Sequence, residues 1–235
     1  MSEPTNPSGV DSAFPLQLQL WLSPAFPVGS FAYSHGLEWA AATGRVHDRR
    51  SAQGWISDLL AHGGARNDAI LLAEAWRAAH NADDIRLATS NDLALALAGG
   101  RERHLETSAQ GNAFVTTVRA AWSTPAFERA TEAFSGDVAY PVAVGAAAAA
   151  AGVPLETTLR AFLVSLSSNL VSALVRLSVI GQTDGQRVLA ALAPSIVAQA
   201  GFAATSALDD LGGAAFVSDI AALAHETQET RMFRT

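Results

Sequence analysis

Residues 154–181 read PLETTLRAFLVSLSSNLVSALVRLSVIG. Leu155, Leu159, Phe162, Leu163, Leu166, Leu170, Leu174 and Leu177 recur there at intervals of three and four, the spacing that gathers side chains on one face of an α-helix. Pro154 occupies a first-turn position, where its missing N–H costs nothing, and Gly181 marks a stop. The pattern predicts one long, central helix over 154–180. The same periodicity predicts further helices at 15–22, 30–43, 51–63, 67–80, 83–98, 101–122, 125–134, 140–151, 185–206 and 216–231. Pro194 is expected to kink or divide the 185–206 segment, because it deletes a backbone donor and crowds the preceding turn. Alternating β-branched runs bounded by hairpin turns are missing, and no period of 30–50 residues recurs. The fold class expected is all-α, a single-domain bundle of about ten helices.

The 235 residues fit one large domain: a leader at 1–13, then a helical unit at 14–235 whose tail spans about 225–235. The start, MSEPTNPSGVDSAF, lacks the basic and apolar regions of a signal peptide, so a cytoplasmic protein is expected. The apolar runs 138–155 and 188–208 carry proline, glycine and alanine where a spanning helix carries leucine and isoleucine, and buried core helices are expected instead. Alanine, glycine and serine at helix faces allow close approach, and such cores often continue into a homodimer.

Composition excludes several chemistries. The chain has no cysteine, and all 15 of its basic residues are arginine. Thiol nucleophiles, cysteine zinc sites, Schiff-base lysines and a complete Walker A loop are thereby removed. A net charge of −7 argues against a nucleic-acid surface, which requires clustered cations. The six histidines form no HxxxH pair, and His225 with Glu229 at i, i+4 reads as a solvated helix end. Ser34 and His35 are neighbours in sequence without the company of a triad.

Three segments are unusual without looking catalytic. SPAFPVGSFAYSHGLE (23–38) breaks one helix at Pro24 and Pro27 and restarts another near Gly29 and Ser30, leaving Phe31, Tyr33 and Trp39 in a turn expected near the surface. RERHLETSAQG (101–111) sets Arg103 and Glu106 one turn apart over a thin apolar stripe, either a solvated face or a polar groove against another chain. HETQETRMFRT (225–235) keeps Met232 and Phe233 between Arg231 and Arg234, a pattern suited to ordering on a partner.

Together with YPVAVGAAAAAAGVPLETTLRAFL and SNLVSALVRLSVIGQTDGQRVL, these blocks in this order resemble the UreF family of urease accessory proteins over residues 16–235. The resemblance implies a helical, homodimeric protein that is not an enzyme. It implies binding to UreD (also called UreH), recruitment of the GTPase UreG to apo-urease, and gating of GTP-dependent nickel delivery. No cofactor is expected to be held stably; nickel is handled by the complex. The matching positions make Pro27, Gly29, Phe31, Tyr33, Ser34, Gly36, Glu38, Arg101, Glu102, Glu106, Gln110, His225, Gln228, Arg231 and Phe233 candidate partner contacts. A cut after Ala224 is then expected to spare the fold and abolish UreD binding. Two rivals stay open on residues alone: a helical enzyme with scattered carboxylates in a central cavity, and a scaffold unrelated to metals.

Overall fold

The computed structural model describes residues 15–235, so the expected leader at 1–13 lies outside the described residues. Among them the chain is helical throughout: α1 (Leu16–Trp21), α2 (Leu37–Ala42), α3 (Arg49–His62), α4 (Gly64–His80), α5 (Asp84–Ala96), α6 (Arg101–Trp122), α7 (Pro125–Glu132), α8 (Tyr140–Ala150), α9 (Leu155–Arg176), α10 (Gln182–Thr205) and α11 (Phe216–His225). Short 3-10 turns occupy Ser30–Ala32 and Leu208–Asp210. The all-α expectation holds. The 30–43 helix does not form as one piece, because His35 and Gly36 adopt left-handed backbone between the 3-10 turn and α2.

The most extensive helix pair is α4 with α8; α6 covers the other side of α8, and α9, α10 and α3 close around α4. The alanine-rich sequence of α8 explains this position. Pro141 to Ala148 are all buried, and a Cβ built on Gly145 would lie 2.4 Å from the Leu72 carbonyl oxygen. Small side chains here exchange apolar area for close backbone contact. Gly111 does the same for α6, where a Cβ would stand 1.9 Å from the Val138 carbonyl oxygen.

The 154–181 stretch behaves as its spacing predicts. Leu159, Phe162, Leu163, Leu170 and Leu174 are buried on α9, and Phe162 faces Tyr140 at 5.8 Å between ring centroids. An aromatic group of Trp21, Phe26, Phe114 and Trp122 extends this core to α1 and α6.

Pro194 does not divide α10, which runs unbroken from Gln182 to Thr205. Pro194 and Ala190 are both exposed, so the carbonyl freed by the missing donor faces water. The apolar runs also need correction. Residues 138–155 are buried as expected, mostly on α8, but α10 is largely exposed. By length and composition α9 and α10 are long and apolar enough to cross a membrane.

Gly145→Ala is expected to lower stability by about 2–3 kcal/mol, because backbone must move to admit the methyl group. Gly54→Ala, on an exposed turn of α3 with nothing within 4 Å of the added carbon, should instead be neutral or stabilise by up to about 1 kcal/mol. Urea unfolding of the two variants beside the parent chain checks both signs.

Candidate functional site

The three unusual segments come together in the fold. After α1 the chain turns through Pro24 and Pro27, and Phe26 drops inward onto Phe114 and Trp122, with ring centroids 5.3 and 5.7 Å away. Gly36 is required twice. Its φ of 75° is left-handed, and a Cβ would approach the Ala222 backbone nitrogen to 2.7 Å. That close approach seats α11 on the first turn of α2 and brings His225 to Glu38.

His225 is fully buried between two carboxylates. Its Nε2 lies 3.1 Å from Glu38 Oε2, and its Nδ1 lies 2.8 Å from Glu102 Oε2 on α6. The tail then folds back over the same groups. The Met232 and Phe233 backbone N–H groups donate to Glu38 Oε1 and Oε2 at 2.6 and 2.9 Å, and the Arg231 guanidinium donates to Glu102 Oε1 at 2.5 Å. The Arg234 N–H reaches the Ala32 carbonyl at 2.8 Å, and the Ser34 N–H donates to the Thr235 backbone oxygen at 2.9 Å. The Phe233 ring is buried with the Arg176 guanidinium 4.5 Å over it, and Asn169 donates to the Ser30 carbonyl, tying the corner to α9.

A second cluster lies one turn along α6. Glu106 accepts from Arg103 at 2.5 Å, from the Thr235 hydroxyl at 3.1 Å and from Gln110 at 3.2 Å, and His35 Nε2 stands 2.7 Å away. Burial pushes the Glu106 carboxyl up, but the neighbouring Arg103 and His35 outweigh it and hold the group at about 2. Burial pushes the Asp68 carboxyl up against the pull of Arg103, whose guanidinium is 3.9 Å away. His35, Asp68, Arg103 and Thr107 form a shared wall between two cavities, one of about 220 Å³ beside α4 and α11 and one of about 550 Å³ between α1, α6, α8 and α9.

Of the residues singled out by sequence, Tyr33, Ser34, Gly36, Glu38, Glu102, Glu106, Gln110, His225 and Phe233 are buried. Pro27, Phe31 and Arg101 are exposed, Gly29 and Gln228 are half-buried, and Arg231 reaches inward from the surface. Four expectations are therefore corrected, the first being that His225 lies on a solvated helix end, since it is fully buried. Tyr33 is not near the surface, because Gly36 tucks the turn beneath α11. The 101–111 face is not solvated, since Glu102, Glu106 and Gln110 point at the corner and tail. The tail is ordered on its own chain, where it supplies donors to those carboxylates. Ser34 Oγ donates to the Thr235 backbone oxygen rather than to His35, which leaves no dyad. Sequence reasoning passed over Asp68, Asn169 and Arg176 and weighed His35 only as a triad member; the pairing of Arg103 with Glu106 alone had a signal, their one-turn spacing. No group of three or more His, Asp or Glu able to hold a metal occurs among the described residues.

Residues 46–193 match the family model described as UreF. The chain belongs to the UreF family. It is 48% identical over 238 residues, covering 100% of both chains, to the urease accessory protein UreF of Rhodopseudomonas palustris (strain BisA53). The proteins of the same name from Xanthobacter autotrophicus and Methylobacterium radiotolerans are 53% and 50% identical, over 94% of this chain and 90% and 96% of their own. The resemblance read from the five blocks is thus borne out. These UreF relatives are named accessory proteins, and the expectation that the chain is not an enzyme accords with them.

The depressed Glu106 carboxyl stabilises the fold above its unfolded value of 4.5, and that contribution is lost as pH falls toward about 2. The stability difference between the parent chain and Glu106→Gln should therefore shrink over this window. Urea titrations at several pH values measure the gap; one that stays constant from pH 5 to 3, roughly spanning the window, would contradict the pairing.

Proposed function

We propose that the chain serves urease maturation as its UreF component. It binds UreD (UreH), and the pair recruits the GTPase UreG to apo-urease for GTP-dependent nickel incorporation, with this chain gating GTP hydrolysis. Near-full-length identity to relatives named urease accessory protein UreF carries the reading. On this reading the protein is a cytoplasmic homodimer, holds no cofactor stably, and treats nickel as cargo of the assembled complex.

The geometry divides the candidate contact residues by role. Phe31 and Arg101 are exposed, as are Leu105, Leu223 and Met232, whose side chains are half or more exposed. Exposed aromatic and aliphatic groups around a rigid turn suit a partner interface, and they are the direct contacts proposed here. Glu38, Glu102, Glu106, Gln110, His225 and Phe233 act from beneath, by holding the turn, α6 and the tail in one rigid unit. The rival enzyme reading gains little support: in the larger cavity Asp68 and Glu106 both face Arg103 rather than forming a free acid and base.

Co-expression with UreD, UreG and apo-urease, followed by pull-down and urease activation with nickel and bicarbonate, tests the proposal. The parent chain should co-purify with UreD; failure to associate overturns the reading. Phe31→Ala should weaken UreD capture by about tenfold or more without changing the melting temperature. A cut after Ala224, by contrast, is now expected to destabilise the chain itself, since it strips Glu38, Glu102 and Glu106 of buried partners.

A further inference from the structure

We infer that His225 is held as a doubly protonated imidazolium and that its second proton latches the tail onto the body of the protein. A neutral imidazole has one N–H donor and one lone pair, so it can satisfy a carboxylate at only one nitrogen. Here both nitrogens face carboxylate oxygens within hydrogen-bond distance, Glu102 at Nδ1 and Glu38 at Nε2. The donors around the carboxylates favour their ionised forms over a shared proton. Glu38 already accepts the Met232 and Phe233 N–H groups, one on each oxygen, and Glu102 accepts Arg231 on its other oxygen.

Charge balance points the same way. Glu38 on α2, Glu102 on α6, Arg231 in the tail and His225 on α11 are the ionisable groups that meet here. Glu226 lies at the rim with Oε1 on the Glu102 N–H, and Glu106 is matched separately by Arg103 and His35. Two carboxylates against one guanidinium leave one uncompensated negative charge under the tail, and imidazolium cancels it. Arg231 is the other basic side chain of this cluster, and its guanidinium keeps its proton. Deprotonation would set an imidazole lone pair against a carboxylate, and segment 226–235 would lift.

The inference concerns the chain alone and does not depend on which partner binds. Long-range ¹H–¹⁵N spectra of the full chain should show two protonated ring nitrogens for His225 at neutral pH. One protonated and one bare nitrogen with the tail docked would overturn the proposal. Amide protection at Met232 and Phe233, referenced to intrinsic exchange, reports whether the tail is docked. In Glu102→Gln the amide can donate to a neutral ring while its oxygen still accepts Arg231, so the ring should carry one proton with the tail still docked. Two protonated ring nitrogens in this variant would also overturn the latch. His225→Ala should release the tail at every pH, and parent-like protection in that variant would do the same.

Discussion

Three carboxylates buried at one end of a protein without lysine set the main constraint. Glu38, Glu102 and Glu106 are almost wholly removed from water, and an unpaired buried charge would cost several kcal/mol. Apart from Arg103, one turn from Glu106 on α6, their charged and backbone partners come from elsewhere in sequence: His35 from the corner, His225 from α11, and Arg231 and the 232–233 backbone from the tail. The shape of this end of the molecule follows from that demand. Gly36 must be bare so that α11 can bring His225 close, and the left-handed bend at His35 and Gly36 is what turns the corner toward α6.

The periodic part of the fold was legible in the sequence because it is local. Leucines three and four apart on α9, the bounds of α6 and the alanine run of α8 need no knowledge of distant residues. What failed required information that periodicity lacks. Pro194 was read as a kink or a break, and the helix is not broken because the Ala190 carbonyl faces water, which sequence does not reveal. The face of Glu102 and Glu106 was left open between solvent and a groove against another chain, because its apolar stripe is thin; the returning tail makes it an interior of the chain itself. The segments were recognised as unusual, yet their mutual contacts span 68 to 201 residues and leave no local trace. The contacts of His35 and Arg176 were missed for the same reason.

Function divides along the same boundary. Polar groups that a sequence reader would place on the surface are used inside, where they fix geometry, while the exterior near them carries Phe31, Leu105, Leu223 and Met232. On the proposed reading, such an arrangement gives an accessory protein a firm recognition corner. It also explains why a family resemblance concentrated in polar and glycine-rich blocks is specific: these residues satisfy one another, and a change in any of them strands a charge or closes a gap.

The return of the tail to Glu38 has a consequence for biosynthesis. Glu38 receives its amide donors from residues 194 and 195 positions later in the chain. Throughout translation of the intervening helices the corner stays open, its acidic groups wet and α11 not yet made. The helical body can collapse early from its local contacts, but this end closes only after residue 233 has left the ribosome. A nascent chain stalled before that point would present an expanded, negatively charged corner quite unlike the finished one, and quality-control factors could read the difference.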